Sequence, residues 1–96
     1  MFGDRTSPEI CSKIVNLARN NGVNFIDTAD VYSAGESERI TGKIIRRDRN
    51  DWVLATKVGS PMSKNLLHRG IGRKWIMKAC DDSLKRLGTD YIDLYY

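Results

Sequence analysis

The chain has 96 residues, of which 41% are hydrophobic and 29% are charged, and its formal net charge is +4. This composition is typical of a globular domain and excludes a disordered tail, a collagen-like fibre and a disulfide scaffold. No apolar run approaches the roughly 20 residues that a membrane-spanning helix requires, and the first residues lack the apolar segment of a signal peptide. We therefore expect one globular domain, or part of one, with no membrane partner.

The basic residues are scattered along the chain and do not form the single basic face that nucleic acid binding needs. The densest group, Arg46–Arg49, follows a predicted helix, where cations suit the negative end of the dipole, so we interpret it as a solvated helix end and not as a phosphate patch. Cys11 and Cys80 occupy apolar positions of two predicted helices, which indicates buried free thiols and a cytoplasmic protein. One histidine, His68, and two distant thiols do not supply a metal site.

The spacing of apolar residues predicts three helices that alternate with three strands. The first helix has a clear start, because Ser7 is a favourable N-cap, Pro8 suits the first helical position and Glu9 faces the positive end of the dipole. In chain order the predicted elements are a helix from Pro8 to Gly22, a strand Val23–Asp27, a helix Ser37–Arg47, a strand Trp52–Val58, a helix Arg73–Leu87 and a strand Tyr91–Tyr96.

Strands that are joined through helices imply right-handed crossovers and a parallel sheet, so the predicted fold class is α/β. A parallel sheet usually has both faces covered, and a closed barrel of eight such units takes about 250 residues. Three units therefore predict a single incomplete domain over residues 1–96. Phe25, Ala55 and Leu94 would stay uncovered on the inward face, and the last strand would keep an unpaired edge. We expect the isolated chain to be poorly packed or to self-associate through this uncovered sheet.

Two charged residues mark the carboxyl ends of neighbouring strands, where functional groups gather in α/β folds. Asp27 ends the first strand and Lys57 lies near the end of the second. Side chains alternate along a strand, so both point to the inward face, and neighbouring strands lie about 4.8 Å apart. We expect an ion pair between them, because a buried single charge is costly. A structural salt bridge and a functional pair fit this pattern equally well.

Tyr32 lies five residues after Asp27, in the loop above the same strand end. A phenol that turns back over this edge would lie close to the Lys57 ammonium. An ammonium stabilises a phenolate and makes the phenol a better proton donor near neutral pH. The alternative is a tyrosine that only packs on the rim of the sheet, and the residues alone do not separate the two.

Three longer motifs occur in order along the chain, namely Gly22–Tyr32 (GVNFIDTADVY), Leu54–Lys57 (LATK) and Ser83–Tyr95 (SLKRLGTDYIDLY). Together they resemble the aldo-keto reductase family, and the resemblance covers essentially the whole chain. It implies a (β/α)8 TIM barrel, of which residues 1–96 would be the N-terminal part, without the first strand and the C-terminal half. It also implies an oxidoreductase that uses NADPH, or NADH, to reduce a small aldehyde or ketone to an alcohol.

The same resemblance assigns roles, since Asp27, Tyr32 and Lys57 fall on catalytic positions of the family. Tyr32 would protonate the carbonyl oxygen while hydride reaches the carbon. Lys57 would promote this proton transfer, and Asp27 would hold Lys57 and lie close to the cofactor. The family's catalytic histidine would fall just beyond Tyr96. His68 is not its replacement, and we interpret it as a surface residue of the loop before the third helix.

Two other functions stay open at this point. One is a non-catalytic, cofactor-binding regulatory relative similar to potassium-channel β subunits, and the other is an inactive truncated remnant. Asp30 is interpreted as a loop cap in preference to a substrate contact, and Trp52 and Trp75 as packing residues. The chain has no GxGxxG or Walker motif, so Rossmann-type and P-loop cofactor binding are not indicated.

Overall fold

A computed structural model describes all residues from Met1 to Tyr96. Two short 3-10 segments, Tyr32–Gly35 and Arg46–Asp51, lie before and after the second helix. The order of helices and strands is the predicted one, and Ser7 caps the first helix. The regular elements are, in chain order, α1 Pro8–Asn20, β1 Phe25–Asp27, α2 Glu36–Ile45, β2 Val53–Thr56, α3 Arg73–Leu87 and β3 Leu94–Tyr95.

The three strands form one parallel sheet in the order β1-β2-β3, which confirms the α/β fold class. Asp27 pairs with Ala55, and Ala55 pairs with Leu94, so these residues form one row across the sheet. β3 is shorter than predicted because the Asp93 carboxylate, and not a main-chain carbonyl, accepts the hydrogen bond of the Leu54 N–H at 2.8 Å. The ladder therefore begins only at Leu94.

The helices cover one face of the sheet and leave the other face open. Leu54 and Thr56 are fully buried on the covered face, whereas Phe25 and Leu94 on the opposite face are 47% and 38% exposed. Ala55 lies on the open face but is itself fully buried, so the prediction that it would be uncovered is wrong. Its single methyl group is short, and the longer side chains on either side of it shield it from solvent.

The hydrophobic core lies between the sheet and the helices. Ile92 also packs against this core, although regular alternation along the predicted strand Tyr91–Tyr96 would place it on the same face as Leu94. Residues 91–93 precede β3, and the alternation of a strand does not extend to them. Trp52 is a packing residue, as predicted. The buried core residues come from all three helices and from the second strand with the residue before it, and they are Val15, Ile45, Trp52, Leu54 and Leu87.

The apolar stripe of α1 is only half buried. Cys11 and Val15 face the core, but Ile10, Ile14 and Leu17 are exposed. Periodicity correctly indicates which side of this helix is apolar. It does not indicate how much of that side the neighbouring elements cover, and here only one row of the stripe meets the core.

The basic segment after α2 is not simply a solvated helix end, as the sequence suggested. Arg46 and Arg47 are exposed, but Arg49 holds two residues that precede β3. Its guanidinium pairs with the Asp93 carboxylate at 2.9 Å and lies over the ring of Tyr91, 3.8 Å from the centroid. Arg49 therefore fastens the end of the 3-10 segment to the start of the third strand.

The cysteines and the histidine lie apart from one another. Cys11 is buried and Cys80 partly buried, and both are free thiols, as predicted. His68 is half-buried, which corrects its assignment to the surface, because its ring stacks on the buried Trp75 with 5.1 Å between centroids. No cluster of three or more potential metal ligands occurs. None of the helices combines the length and the apolarity that crossing a membrane requires.

Candidate active site

Asp27 and Lys57 meet at the carboxyl edge of the sheet, on its open face. Asp27 is the last residue of β1, and Lys57 directly follows β2. The Lys57 Nζ forms an ion pair with the Asp27 carboxylate and also donates a hydrogen bond to the Thr28 carbonyl at 2.9 Å. The Lys57 side chain is 33% exposed and that of Asp27 is 42% exposed, so the pair lies within reach of solvent. The ion pair expected from strand alternation is present.

The surroundings of Lys57 keep its ammonium charged. Partial burial acts to lower the pKa of Lys57, but the hydrogen bond and the charge of Asp27 outweigh it, and the pKa of Lys57 lies above its ordinary value. The phenol oxygen of Tyr32 acts in the same direction to a smaller extent. The site therefore presents a fixed positive charge at neutral pH.

Tyr32 lies above this ion pair, as the loop length suggested. The Lys57 Nζ is 5.1 Å from the centroid of the Tyr32 ring. The chain reverses directly after Tyr32, because Ser33 and Ala34 both adopt left-handed conformations, with φ of 49° and 53°. The Ser33 hydroxyl donates to the Phe2 carbonyl at 2.8 Å, which ties this turn to the first residues of the chain.

Tyr96 is a further neighbour of Lys57 that the sequence reasoning did not single out. The Lys57 Nζ lies 5.8 Å from the centroid of the Tyr96 ring. Main-chain hydrogen bonds from Tyr96 to the Thr56 carbonyl and from Val58 to the Tyr96 carbonyl, both 2.9 Å, hold it beside the second strand. Strand alternation carried the signal, since Tyr96 lies two residues after Leu94 and shares its face.

Asp30 lies on the covered side of this region and not at the open edge. Burial raises the pKa of the Asp30 carboxyl above its usual range, although a hydrogen bond from the Val31 N–H acts in the opposite direction. The Asp30 N–H donates to the Lys57 carbonyl at 3.2 Å. Asp30 is therefore buried on the covered side, and its main chain is part of the framework of the loop.

A mostly apolar cavity of about 320 Å³ lies along the outer edge of β1. Asp27 and Tyr32 contribute to its wall, together with Val23, Phe25 and Ile14. The carboxylate and the phenol thus adjoin a space that suits an apolar group.

Comparison with known proteins identifies the family. The model of the aldo/keto reductase family matches residues 1–96. The chain belongs to the aldo-keto reductase family. The resemblance that the three sequence motifs indicated is confirmed, and the three parallel strands with their helices correspond to part of an aldo-keto reductase TIM barrel.

This aldo-keto reductase chain is similar to both curated proteins and solved structures. It is 38% identical over 100 aligned positions to the "Probable voltage-gated potassium channel subunit beta" of Arabidopsis thaliana, covering 99% of this chain and 30% of the relative. An aldo-keto reductase of Bacillus halodurans in its holo form superposes with a TM-score of 0.85 at 38% identity, covering 94% of this chain and 31% of the other. An aldo/keto reductase of Klebsiella pneumoniae in complex with NADP and acetate superposes with a TM-score of 0.72 at 34% identity, covering 88% of this chain and 27% of the other. The chain spans less than a third of the length of each of these three proteins.

Proposed function

We propose that this chain contributes the proton-donating part of an NAD(P)H-dependent reductase that converts an aldehyde or ketone to an alcohol. The observation that carries the proposal is the position of the Lys57 ammonium, which is paired with the Asp27 carboxylate and lies 5.1 Å from the Tyr32 ring. A phenol, an ammonium and a carboxylate at the carboxyl edge of parallel strands make up a proton donor with the charge that supports it.

In the proposed reaction the Tyr32 phenol donates its proton to the carbonyl oxygen of the substrate as the carbonyl carbon is reduced. The Lys57 ammonium, whose Nζ lies 5.1 Å from the centroid of the Tyr32 ring, supplies positive charge next to the negative charge that develops on the phenol oxygen. Solvent then returns a proton to Tyr32, since the pair lies at the open edge of the sheet. Asp27 holds the ammonium in place and balances its charge in the resting state.

One residue of the candidate site, Asp27, is suited to hold a nicotinamide cofactor. The Asp27 side chain is 42% exposed in spite of its ion pair, so part of its carboxylate faces the open edge and is available to hold the cofactor there. When bound, a reduced nicotinamide supplies hydride to the carbonyl carbon. The NADP in the Klebsiella pneumoniae structure and the holo form from Bacillus halodurans support NADPH, with NADH as the alternative.

We further propose that residues 1–96 form the N-terminal part of a TIM barrel in a cytoplasmic protein. The open face of the sheet supports the first part, because Phe25 and Leu94 lie where further strands of a barrel would cover them. The free thiols Cys11 and Cys80 support the second part, since thiols stay reduced in the cytosol.

The decisive experiment compares the Tyr32→Phe variant with the unchanged protein, both expressed from the complete coding sequence. We expect carbonyl-dependent oxidation of NADPH to fall by about 10²- to 10⁴-fold in the variant, with little change in the Kd for NADPH. Tyr91→Phe is the matched control, because the Tyr91 hydroxyl bonds to Asn50 at 2.7 Å, and Asn50 precedes the second strand at its opposite end. A Tyr32→Phe variant with full turnover would exclude the proposed role.

A regulatory role is the second candidate, because the chain is 38% identical to a relative whose name describes a potassium channel subunit. The site geometry does not distinguish the two, since a regulatory relative could keep the same residues around its cofactor. NADPH binding without turnover of any aldehyde or ketone, together with recovery of a channel protein in a pull-down, would favour regulation. Turnover that depends on Tyr32 would favour the reductase.

A further inference from the structure

Two buried threonines lie directly next to the residues of the candidate site. Thr28 follows Asp27 and Thr56 precedes Lys57. Because side chains alternate along a strand, each threonine points to the covered face while its neighbour points to the open face. Both threonine side chains are almost completely buried beneath the helices.

Each threonine hydroxyl bonds to the first turn of α2. The hydroxyls of Thr28 and Ser37 lie 2.9 Å apart, and the Thr56 hydroxyl donates to the Glu38 carboxylate at 2.6 Å. Ser37 and Glu38 are consecutive residues, and both are buried. One turn of helix thus holds the ends of two neighbouring strands, and we call Thr28, Ser37, Glu38 and Thr56 the polar bracket.

The polar bracket is anchored from the other side by α3. The second carboxylate oxygen of Glu38 pairs with the Arg86 Nε at 2.5 Å, and Glu38 itself is fully buried. A buried charge that lost this partner would be strongly destabilised, so the pairing fixes the orientation of Glu38. Both carboxylate oxygens of Glu38 therefore have a partner, one on the second strand and one on the third helix.

The polar bracket reaches the Lys57 ammonium through the main chain. The Thr28 carbonyl accepts a hydrogen bond from the Lys57 Nζ at 2.9 Å, and the Thr28 N–H donates to Ala55 at 3.0 Å. A movement of Thr28 would displace both acceptors of the ammonium, which are the Thr28 carbonyl and the adjacent Asp27 carboxylate. The 3-10 segment that begins at Tyr32 leads directly into the first residue of α2. The position of this first turn of α2 therefore also limits the position of the phenol.

We propose that the polar bracket positions the Lys57 ammonium beneath the Tyr32 phenol, with Thr28 and Ser37 as positioning residues. This proposal rests on the proposed function, since positioning matters only if the phenol transfers a proton. Positioning groups act by holding reacting atoms within a narrow range of geometry, and a displacement of about 1 Å far from the chemistry lowers turnover.

The test uses Thr28→Val in the protein expressed from its complete coding sequence. Valine keeps the branched shape of threonine and replaces its hydroxyl with a methyl group, whereas Thr28→Ser keeps the hydroxyl. We expect Thr28→Val to lower kcat by roughly fivefold, the factor for one lost hydrogen bond, with an unchanged KM. Thr28→Ser should recover most of the loss. Thr89→Val is the matched control, because the Thr89 hydroxyl also takes part in a side-chain hydrogen bond, accepting from Arg49 at 3.1 Å, and lies outside the polar bracket and the cavity.

A second readout does not depend on turnover. The pKa of Lys57, followed by NMR of lysine labelled with ¹³C at Cε, should move down towards its ordinary value in Thr28→Val as the contact with Asp27 loosens. The other titratable groups that face the ammonium are Tyr32 and Tyr96, and neither is altered. A purely structural role for Thr28 would lower the midpoint of unfolding without moving this pKa.

The outcomes separate the two proposals. If the unchanged protein reduces no carbonyl compound, the proposed function fails, and the Lys57 pKa alone then decides whether the polar bracket holds the ammonium. If Thr28→Val keeps both the kcat and the Lys57 pKa of the unchanged protein, the polar bracket has no positioning role. Should Thr28→Val fail to fold, Ser37→Ala removes the same hydrogen bond from the helix side and gives the same comparison.

Discussion

Gly42 lies where α2 meets the end of α3, and replacing it by alanine tests how closely these helices must pack. A Cβ atom built on Gly42 would lie 1.9 Å from the carbonyl oxygen of Leu87 and 2.7 Å from its Cα. Both are main-chain atoms, so no side-chain rotation relieves the overlap. Because even a tight contact begins at about 3.0 Å and an ordinary one at 3.4 Å, the helices would have to separate by more than 1 Å.

This separation would disturb the core, since Leu87 and Ile45 belong to it from the two helices involved. Overpacking costs typically about 1–3 kcal/mol, and the higher helix propensity of alanine offsets about 1 kcal/mol of that. The obstacle is main chain, so we expect the upper end of the range and a net loss of about 2 kcal/mol in the free energy of unfolding. For a domain of this size the loss corresponds to a Tm lower by roughly 10 °C.

The measurement is thermal and urea unfolding of the 96-residue chain, at a concentration low enough to keep it monomeric, followed by the fluorescence of the two buried tryptophans, Trp52 and Trp75. Gly72→Ala is the matched control, because Gly72 has a φ of −65° and nothing lies within 4 Å of the added Cβ. Its stability should change by less than about 1 kcal/mol, because alanine has less freedom than glycine in the unfolded chain but is a poorer N-cap for α3, and the two effects oppose each other. A Gly42→Ala chain as stable as the Gly72→Ala chain would refute the close contact between the helices.

Two further predictions concern acid sensitivity and association. The Leu54 N–H and the Arg49 guanidinium hold the pKa of the Asp93 carboxyl below its usual range, against the effect of burial. The ionised carboxylate therefore stabilises the folded chain fully above about pH 4, and this stabilisation is lost as the pH falls through the lowered pKa. Asp93→Asn, which keeps an acceptor for Leu54, should flatten the fall of the urea midpoint below pH 4, and an equally steep fall would contradict this assignment. The isolated chain should self-associate through its open sheet face. Phe25→Lys should reduce the concentration dependence of its sedimentation, whereas Leu17→Lys on α1 should not. A chain that sediments as a monomer at all concentrations would exclude this association.

The sequence alone was sufficient for the part of the site that follows from strand alternation. Asp27 and Lys57 each end a strand with the parity that directs them to one face, and the pairing of Asp27 with Ala55 brings the two together. Only four residues separate Asp27 from Tyr32 in the sequence, so the loop could place the phenol only near the carboxyl edge of the sheet. Local periodicity and short connections thus predicted the three residues that the structure brings together.

Long-range side-chain contacts could not be predicted in this way. The hydrogen bond between Thr28 and Ser37 and the one between Thr56 and Glu38 depend on how α2 is laid across the sheet, and a period of two or 3.6 residues carries no information about that angle. Arg49 was misinterpreted for the same reason, because its partners lie more than 40 residues further along the chain. The pattern of one segment shows which side chains are available and not which distant groups they meet.

The turn after Tyr32 is strained, and its contacts explain why the strain persists. Ser33 and Ala34 occupy the left-handed region, which costs a residue with a Cβ roughly 1–2 kcal/mol. The hydrogen bond from Ser33 to the Phe2 carbonyl holds the turn from one side. On the other side the turn runs directly into α2, whose first residues are bonded to both strand ends. A relaxed turn would have to break those bonds or carry the phenol away from Lys57. The strain and the polar bracket are therefore two parts of one arrangement, in which the start of a helix fixes the distance between the phenol and the ammonium.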